Sequence, residues 1–520
     1  MPARRVLEGV KLTNPLYDTL LGRHRGDPKP FLLPGAGRTI SYADFLALAA
    51  GYAALLARCG VTPGERVAVQ VEKSPSALAL YAACVQAGAI YLPLNTAYTT
   101  DELRYFLEDS GARMLVCDSA NAARLSPVAG ALACRTLTLD ADGSGTLADA
   151  SRDLEGTADA VARDEEDIAA ILYTSGTTGR PKGAMLTHRN LLSNALVLAD
   201  TWRFTVADVL LHALPIFHSH GLFVGSHVTL AAGASMIFLP RFEVDGVIAA
   251  LPRATAMMGV PTFYTRLLDD PRLTADLVGH MRLFISGSAP LLAETHGRFE
   301  TQTGHRILER YGLTETSMNT SNPYEGERRP STVGFPLPGV EMRIADPTTA
   351  ASLAAGEIGQ VEIRGPNVFK GYWRNPEKTA AELRPDGWFT TGDLGRVDAD
   401  GYLHIVGREK DLIISGGYNI YPKEIELVLD EQPGVLESAV IGVPHPDFGE
   451  SAVALLVADE GARPDHEAIA AEIEKRLARF KHPRKLITID TLPRNAMGKV
   501  QKAVLRERFK YTFSPRPPVS

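Results

Sequence analysis

The stretch "ILYTSGTTGRPKGAMLTHRN", Ile171 to Asn190, places three glycines, five serine or threonine residues and a lysine directly after an apolar run. Residues 167–174 read as a strand arriving at its carboxyl end, where open α/β sheets gather their ligands. Thr187 stands where it can cap a following helix. Glycine lets backbone N–H groups turn inward without a Cβ in the way. Thr174, Ser175, Thr177 and Thr178 add hydroxyl donors, and Lys182 adds a charge. Together these groups can enclose phosphate oxygens. The order is not G-x-x-x-x-G-K-[S/T], because Gly183 follows the lysine. A surface turn could have the same composition, so the loop needs support from elsewhere in the chain.

Outward from the loop, helix-like and strand-like segments alternate. Residues 41–60 and 76–89 have helical apolar spacing, while 66–71, 90–94 and 113–118 read as short strands. Thr99 and Glu102 have capping-box spacing. Further buried strands are expected at 235–240, 254–260 and 282–287. This alternation predicts an α/β fold, with helices flanking mostly parallel sheets. Residues 135–166, rich in Asp, Gly, Ala and Ser, predict weakly structured surface. From about residue 340 short strands separated by turns suggest a small β-barrel-like subdomain. Beyond the polar run "REKD" the pattern becomes a compact α+β unit. The expected division is 1–409, a large N-terminal part, and 410–520, a small C-terminal domain. The tail "SPRPPVS" has too little apolar surface to fold.

The 520 residues suggest about three domain-sized pieces. A 45% apolar and 22% charged composition is that of a soluble globular protein. The net charge of −7 argues against a nucleic-acid binder, and no apolar run approaches a membrane span. The basic stretches at 475–485 and 501–510 read as solvated helix faces. No signal-peptide core follows the N-terminus, so a cytoplasmic location is expected. Cys59, Cys84, Cys117 and Cys134 form no C-x-x-C pair and read as buried thiols.

Three more stretches lend weight to the loop: "ERYGLTET" (309–316), "GWFTTGDLG" (387–395) and "LPRNAMGKVQK" (492–502). With the "GREKD" run, these motifs stand in one order over some 330 residues. The combination resembles the adenylate-forming superfamily of acyl-CoA synthetases, luciferases and peptide-synthetase adenylation domains, over roughly residues 15–510. The resemblance implies two half-reactions. A carboxylate attacks the α-phosphate of ATP to give an acyl-adenylate and pyrophosphate, and the thiol of CoA then displaces AMP. It implies that Thr174, Ser175, Gly176, Thr177, Thr178, Gly179 and Lys182 hold the β- and γ-phosphates, with Thr174 and Glu315 at Mg²⁺. It puts Tyr311 on one adenine face and the backbone of Gly287, Ser288 and Ala289 on the other. Glu309, Arg310, Gly312 and Thr314 belong to the same nucleotide-contacting stretch. Asp393 and Arg408 would meet the ribose. Lys499 would bridge the attacking carboxylate and the α-phosphate, stabilising the approach of two anions. Lys410 would be the pivot of a domain rotation, after which Gly416 and Gly417 line the pantetheine tunnel.

The acyl pocket is expected between residues 214–222 and 281–290. His218, His220, Arg282, Ser286 and Ser288 make it more polar than a fatty-acyl pocket. Arginine can grip a carboxylate with two parallel bonds, so a diacid is expected. The stretches "ALPIFHSHGL", "GVPTFYTRLL", "MRLFISGSAPL" and "ERYGLTETSMNTSNPYEGERRPSTVG" look like those of the malonyl-CoA synthetases within this superfamily. That resemblance implies malonate as substrate, with methylmalonate also used. The distal carboxylate is assigned to Arg282 with help from His218, and Arg241 is a second candidate. Met318 would pack beside the acyl group. A monomer or weak homodimer is expected, with no nucleic-acid or membrane partner. A ligase for another short- or medium-chain acid is the alternative.

Overall fold

The computed structural model describes residues 12–35, 37–154, 156, 159–174, 181–415, 418–495 and 499–513. Ser175, Gly176, Thr177, Thr178, Gly179, Gly416, Gly417 and the tail 514–520 lie outside the described residues. The chain divides into two compact units, Met1–Glu341 with Ile363–Phe389, and Met342–Glu362 with Thr390–Ser520.

Two sheets build the first unit. In the nine-stranded sheet, the order through its centre is Leu308–Leu313, Leu283–Ser286, Ala256–Gly259, Val209–His212, Ser235–Phe238 and Pro30–Pro34, and these neighbours run parallel. Buried on both faces, the inner strands carry continuous apolar runs such as "AMMG" and "LFIS". The seven-stranded sheet includes Ile168–Thr174, Ile90–Pro93, Arg66–Gln70 and Met114–Cys117. Helices with sequence-encoded starts cover these sheets. Ser41 caps Tyr42–Arg58, and Ser74 caps Pro75–Gln86. Thr99 with Glu102 closes a capping box.

The loop after Thr174 does not lead straight to a helix. It joins Ile168–Thr174 to an antiparallel strand, Lys182–Thr187, and only then does Thr187 cap His188–Thr201. Lys182 is therefore the first residue of a strand, placed opposite Thr174. Gly183 is required by packing: a Cβ there would lie 2.8 Å from Ile171 and 3.3 Å from Trp373. Residues 135–166 hold more order than expected, with a strand at Arg135–Thr138 and a helix at Thr146–Ser151.

The second unit contains a four-stranded sheet, ordered Glu341–Ala345, Gly359–Arg364, Phe389–Val397, Leu403–Arg408. Its other sheet centres on Gly449–Ala458, which pairs antiparallel with Val435–His445 and parallel with Lys485–Ile489. The helices Pro422–Asp430, His466–Arg476 and Lys502–Phe509 accompany it. The four cysteines are free thiols, and burial pushes Cys117 up to about 11 and Cys134 up to about 12. Among the described residues no helix is long and apolar enough to cross a membrane.

Candidate active site

In the first unit, Thr174 ends its strand with its hydroxyl 3.5 Å from Glu315 Oε1. The Tyr372 hydroxyl stands 3.0 Å from the same oxygen and 2.6 Å from Glu382 Oε2. Lys182 Nζ lies 5.2 Å above the Tyr372 ring, and burial holds its pKa below the ordinary lysine value. Two carboxylates, two hydroxyls and an ammonium thus converge where the glycine-rich loop begins and ends. Thr174 and Glu315 offer the oxygen donors that a hard cation takes, so the residues present fit Mg²⁺. Sequence reasoning missed Tyr372 and Glu382, because their place beside Glu315 depends on the pairing of Gly371–Tyr372 with the strand Lys182–Thr187.

A second cluster surrounds the carboxyl ends of Leu283–Ser286 and Leu308–Leu313. Ser286 pairs with Glu309 across these two strands. Arg310 is buried, at 4% exposure, and among the described residues its Nε and Nη2 meet no hydrogen-bond acceptor. Burial pushes its pKa down to about 9, so it is still cationic near neutral pH. Its guanidinium lies flat against Gly287, where a Cβ would come within 2.3 Å of Cζ. The fully buried Ser286 hydroxyl also lacks a partner. Ser288 adopts φ +72°, a left-handed backbone uncommon outside glycine, and its Oγ lies 3.1 Å from His220 Nδ1. Burial, then the nearby Arg310 cation, drives the His220 pKa well below its ordinary value, leaving a neutral ring. His218 is half-buried with its ring 4.6 Å from Phe217. Tyr311 and Gly312 follow Arg310 on the same strand. A Cβ on Gly312 would meet Ser317 O at 1.9 Å and Met318 Cε at 2.6 Å, which sets the Met318 side chain over this strand.

Arg282, expected at the distal carboxylate, stands apart from this cluster. It precedes the strand Leu283–Ser286, at the end opposite Gly287. Its Nε donates to Asp208 Oδ1 at 2.6 Å and its Nη1 to Trp202 O at 2.9 Å, while its guanidinium covers the Phe204 ring at 4.8 Å. Burial alone would raise the Asp208 pKa, but Arg282, Thr255 and the Thr205 N–H together hold it below the usual range. This is a half-buried structural ion pair. Arg241, the second candidate, has a side chain 80% exposed and paired with Glu243 at 2.6 Å.

In the second unit, Asp393 is buried and accepts from Arg408 Nε at 2.7 Å, which brings together the two residues assigned to the ribose. Gly392, with φ +69°, precedes it within the strand Phe389–Val397, so Asp393 stands on a strand and not on the tight turn expected. Lys499 is exposed on a hairpin closed by the Arg494–Val500 bridge, with its N–H donating to Asn495 Oδ1 at 3.0 Å. Lys410 lies in the short helix Glu409–Asp411.

The model of the AMP-binding enzyme family matches residues 23–373, and that of its C-terminal domain matches residues 424–499. The chain is a member of the AMP-binding enzyme family. Among solved structures, ATP-bound MatB from Rhodopseudomonas palustris is 55% identical, covers 97% of this chain and 100% of its own, and superposes with a TM-score of 0.94. A feruloyl-CoA synthase from an Amycolatopsis species is 38% identical, covering 94% of this chain and 97% of its own. A malonate–CoA ligase from Arabidopsis thaliana is 35% identical, covering 86% and 78%. The chain is accordingly an AMP-forming acid–CoA ligase that uses ATP and CoA.

Proposed function

We propose that this ligase joins malonate, and more weakly methylmalonate, to CoA through malonyl-adenylate. The observation that carries this reading is the buried Arg310 guanidinium, whose Nε and Nη2 lack acceptors among the described residues. A fully buried cation without a counter-charge costs several kcal/mol unless an anion arrives to pair with it. Once one malonate carboxylate is joined to AMP, the other keeps a single negative charge. Arg310 supplies one positive charge, and the neutral His220 beside it adds none. The Ser286 and Ser288 hydroxyls can supply further hydrogen bonds. A monocarboxylic acid would instead lay its alkyl chain against a desolvated guanidinium. This reading reassigns Arg310 from the nucleotide to the acyl group and releases Arg282 and Arg241 from that task. The likeness to the malonate–CoA ligase supports the same substrate.

In the first half-reaction the reacting carboxylate attacks the α-phosphate and pyrophosphate leaves. Lys182 and the glycine-rich loop would neutralise the outer phosphates. Thr174 and Glu315 would hold Mg²⁺, which would offset phosphate charge when bound. Lys499 is assigned to the meeting point of the carboxylate and the α-phosphate, with Lys410 as the pivot between half-reactions. Asp393 would accept from the ribose hydroxyls. In the second half-reaction the CoA thiol attacks the acyl carbonyl and AMP leaves. Methylmalonate differs by one methyl, which limits discrimination to about 1–3 kcal/mol. The test is AMP release and thioester mass across malonate, methylmalonate, acetate, butyrate, octanoate and ferulate. Malonate should have the highest kcat/KM, and a faster monocarboxylic acid would reject the proposal.

A further inference from the structure

Lys73 is buried in the first unit, at 7% exposure, and among the described residues no carboxylate pairs with it. It follows the strand Arg66–Gln70 and reaches the carboxyl end of Val209–His212, which belongs to the other sheet. An ammonium has three N–H donors. Two have acceptors on one residue: His212 Nδ1 at 2.8 Å and His212 O at 2.8 Å. The third direction is served by the Phe238 ring, whose centroid lies 4.2 Å from Nζ, a cation–π distance.

These contacts fix the state of the imidazole. Gly221 O can only accept, so the single ring proton sits on Nε2, and Nδ1 accepts from Lys73, whose charged form burial disfavours. Nε2 then donates to Gly221 O at 2.8 Å. Burial, and then the Lys73 charge, lowers the His212 pKa to about 3, so the ring stays neutral through the working range. Gly221 follows His220 in the π-helix His220–Ser226. That helix is wrapped closely around the His212 ring. A Cβ on Gly225 would lie 2.9 Å from His212 Cδ2 and Nε2, and one on Gly221 would lie 2.1 Å from Pro215 O. Ser226 Oγ also donates to Gly221 O at 3.2 Å. The helix therefore has one buried side-chain anchor from another strand, and the anchor grips it next to His220. His220 in turn meets Ser288 beside Arg310. π-turns within helices often mark functional sites, because the extra residue re-aims neighbouring side chains.

We propose that Lys73 is a positioning residue for the acyl site: its side-chain nitrogen braces the His212 ring through Nδ1, and His212 clamps the π-helix that presents His220 to the acid. Lys73 acts through His212 and touches no substrate. The proposal rests on the acyl-site reading above. Its readout, however, is the KM for whichever acid the enzyme turns over fastest, so failure of malonate as a substrate would leave it fully testable.

The test uses Lys73→Met, His212→Gln and His212→Asn in the full-length enzyme. Glutamine keeps an N–H donor near the Nε2 position, whereas asparagine keeps an acceptor near Nδ1 and loses that donor. Lys73→Met and His212→Asn should raise the KM for the acid at least tenfold and leave the KM for ATP within twofold. His212→Gln should restore the acid KM to within about threefold of the parent. Nitrogen-15 shifts of the parent enzyme should place the His212 proton on Nε2. An unchanged acid KM in His212→Asn, an equal rise in both KM values, or a proton on Nδ1 would each overturn the proposal. Should Lys73→Met fail to fold, the two His212 variants and the tautomer measurement still decide it.

Discussion

Replacing Arg310 by Met exposes the assumption on which substrate choice depends. Methionine has a similar length and no charge, so it fills most of the space against Gly287. In the substrate complex the buried guanidinium and the distal carboxylate would be partners. Removing one member of such a pair costs about 3–5 kcal/mol, or roughly 10²–10⁴-fold in kcat/KM for malonate. ATP should feel little, so its KM should stay within about threefold. The ligand-free protein gives a second, opposite sign. Arg310 binds its proton less tightly when folded, at about 9, than in the unfolded chain, where an arginine keeps its higher ordinary value. Below pH 9 the native state therefore carries a desolvation penalty that the Met variant lacks. The variant's melting temperature should equal or exceed the parent's, whereas most core substitutions lower it. The assay is pyrophosphate release with malonate and ATP varied separately, alongside thermal unfolding without ligand. Malonate kcat/KM within threefold of the parent would refute the reasoning. So would a large fall in melting temperature with a raised KM for ATP, since Arg310 would then be a structural prop.

Arg282→Leu should behave in the reverse way: it strands the buried Asp208 and lowers stability by about 3–5 kcal/mol, with the malonate KM unchanged in the folded fraction, as read by denaturant unfolding and initial rates. In the second unit, burial raises Asp430 to about 6 despite Lys423 at 3.8 Å and a 2.6 Å bond from Ser438. Its folded pKa lies above the unfolded value, so this group costs stability as pH rises from about 4 to 6, by about 3 kcal/mol at most. The melting temperature of Asp430→Asn should therefore gain on the parent's across that interval, and a constant difference would contradict the sign. Lys499→Ala should slow acyl-adenylate formation by about 10²–10³-fold, measured as pyrophosphate release, while the variant supplied with preformed malonyl-adenylate and CoA retains thioester synthesis.

Much of this was legible because the elements concerned obey local rules. The strand ending at Thr174, the cap at Thr187, the Thr99–Glu102 box and the buried strands near 235, 256 and 283 follow from apolar period and cap chemistry. The strand Lys182–Thr187 was not, since glycine and lysine at its start read as loop, and only its pairing with Ile168–Thr174 makes it a strand. The two arginines show a different limit. Arg282 and Arg310 both border short strands beside the expected pocket, and sequence spacing does not rank them. What separates them is long-range: Asp208, 74 positions away, pairs with Arg282 Nε and leaves its Nη2 without an acceptor, whereas among the described residues Arg310 has no acceptor for either Nε or Nη2. One signal was available, namely a charged residue inside an apolar strand alongside a neighbour marked by glycine, "FISG" against "LERYG". Lys73 left no such trace, because its partner lies 139 residues away on another sheet.

The most direct test of the central claim is a crystal structure of the enzyme with ATP and malonate. The account places the unreacted carboxylate of malonyl-adenylate against Arg310 Nε and Nη2, at about 2.7–2.9 Å. A malonyl group turned away from Arg310, or a distal carboxylate held by Arg282 or by the protein surface, would contradict it.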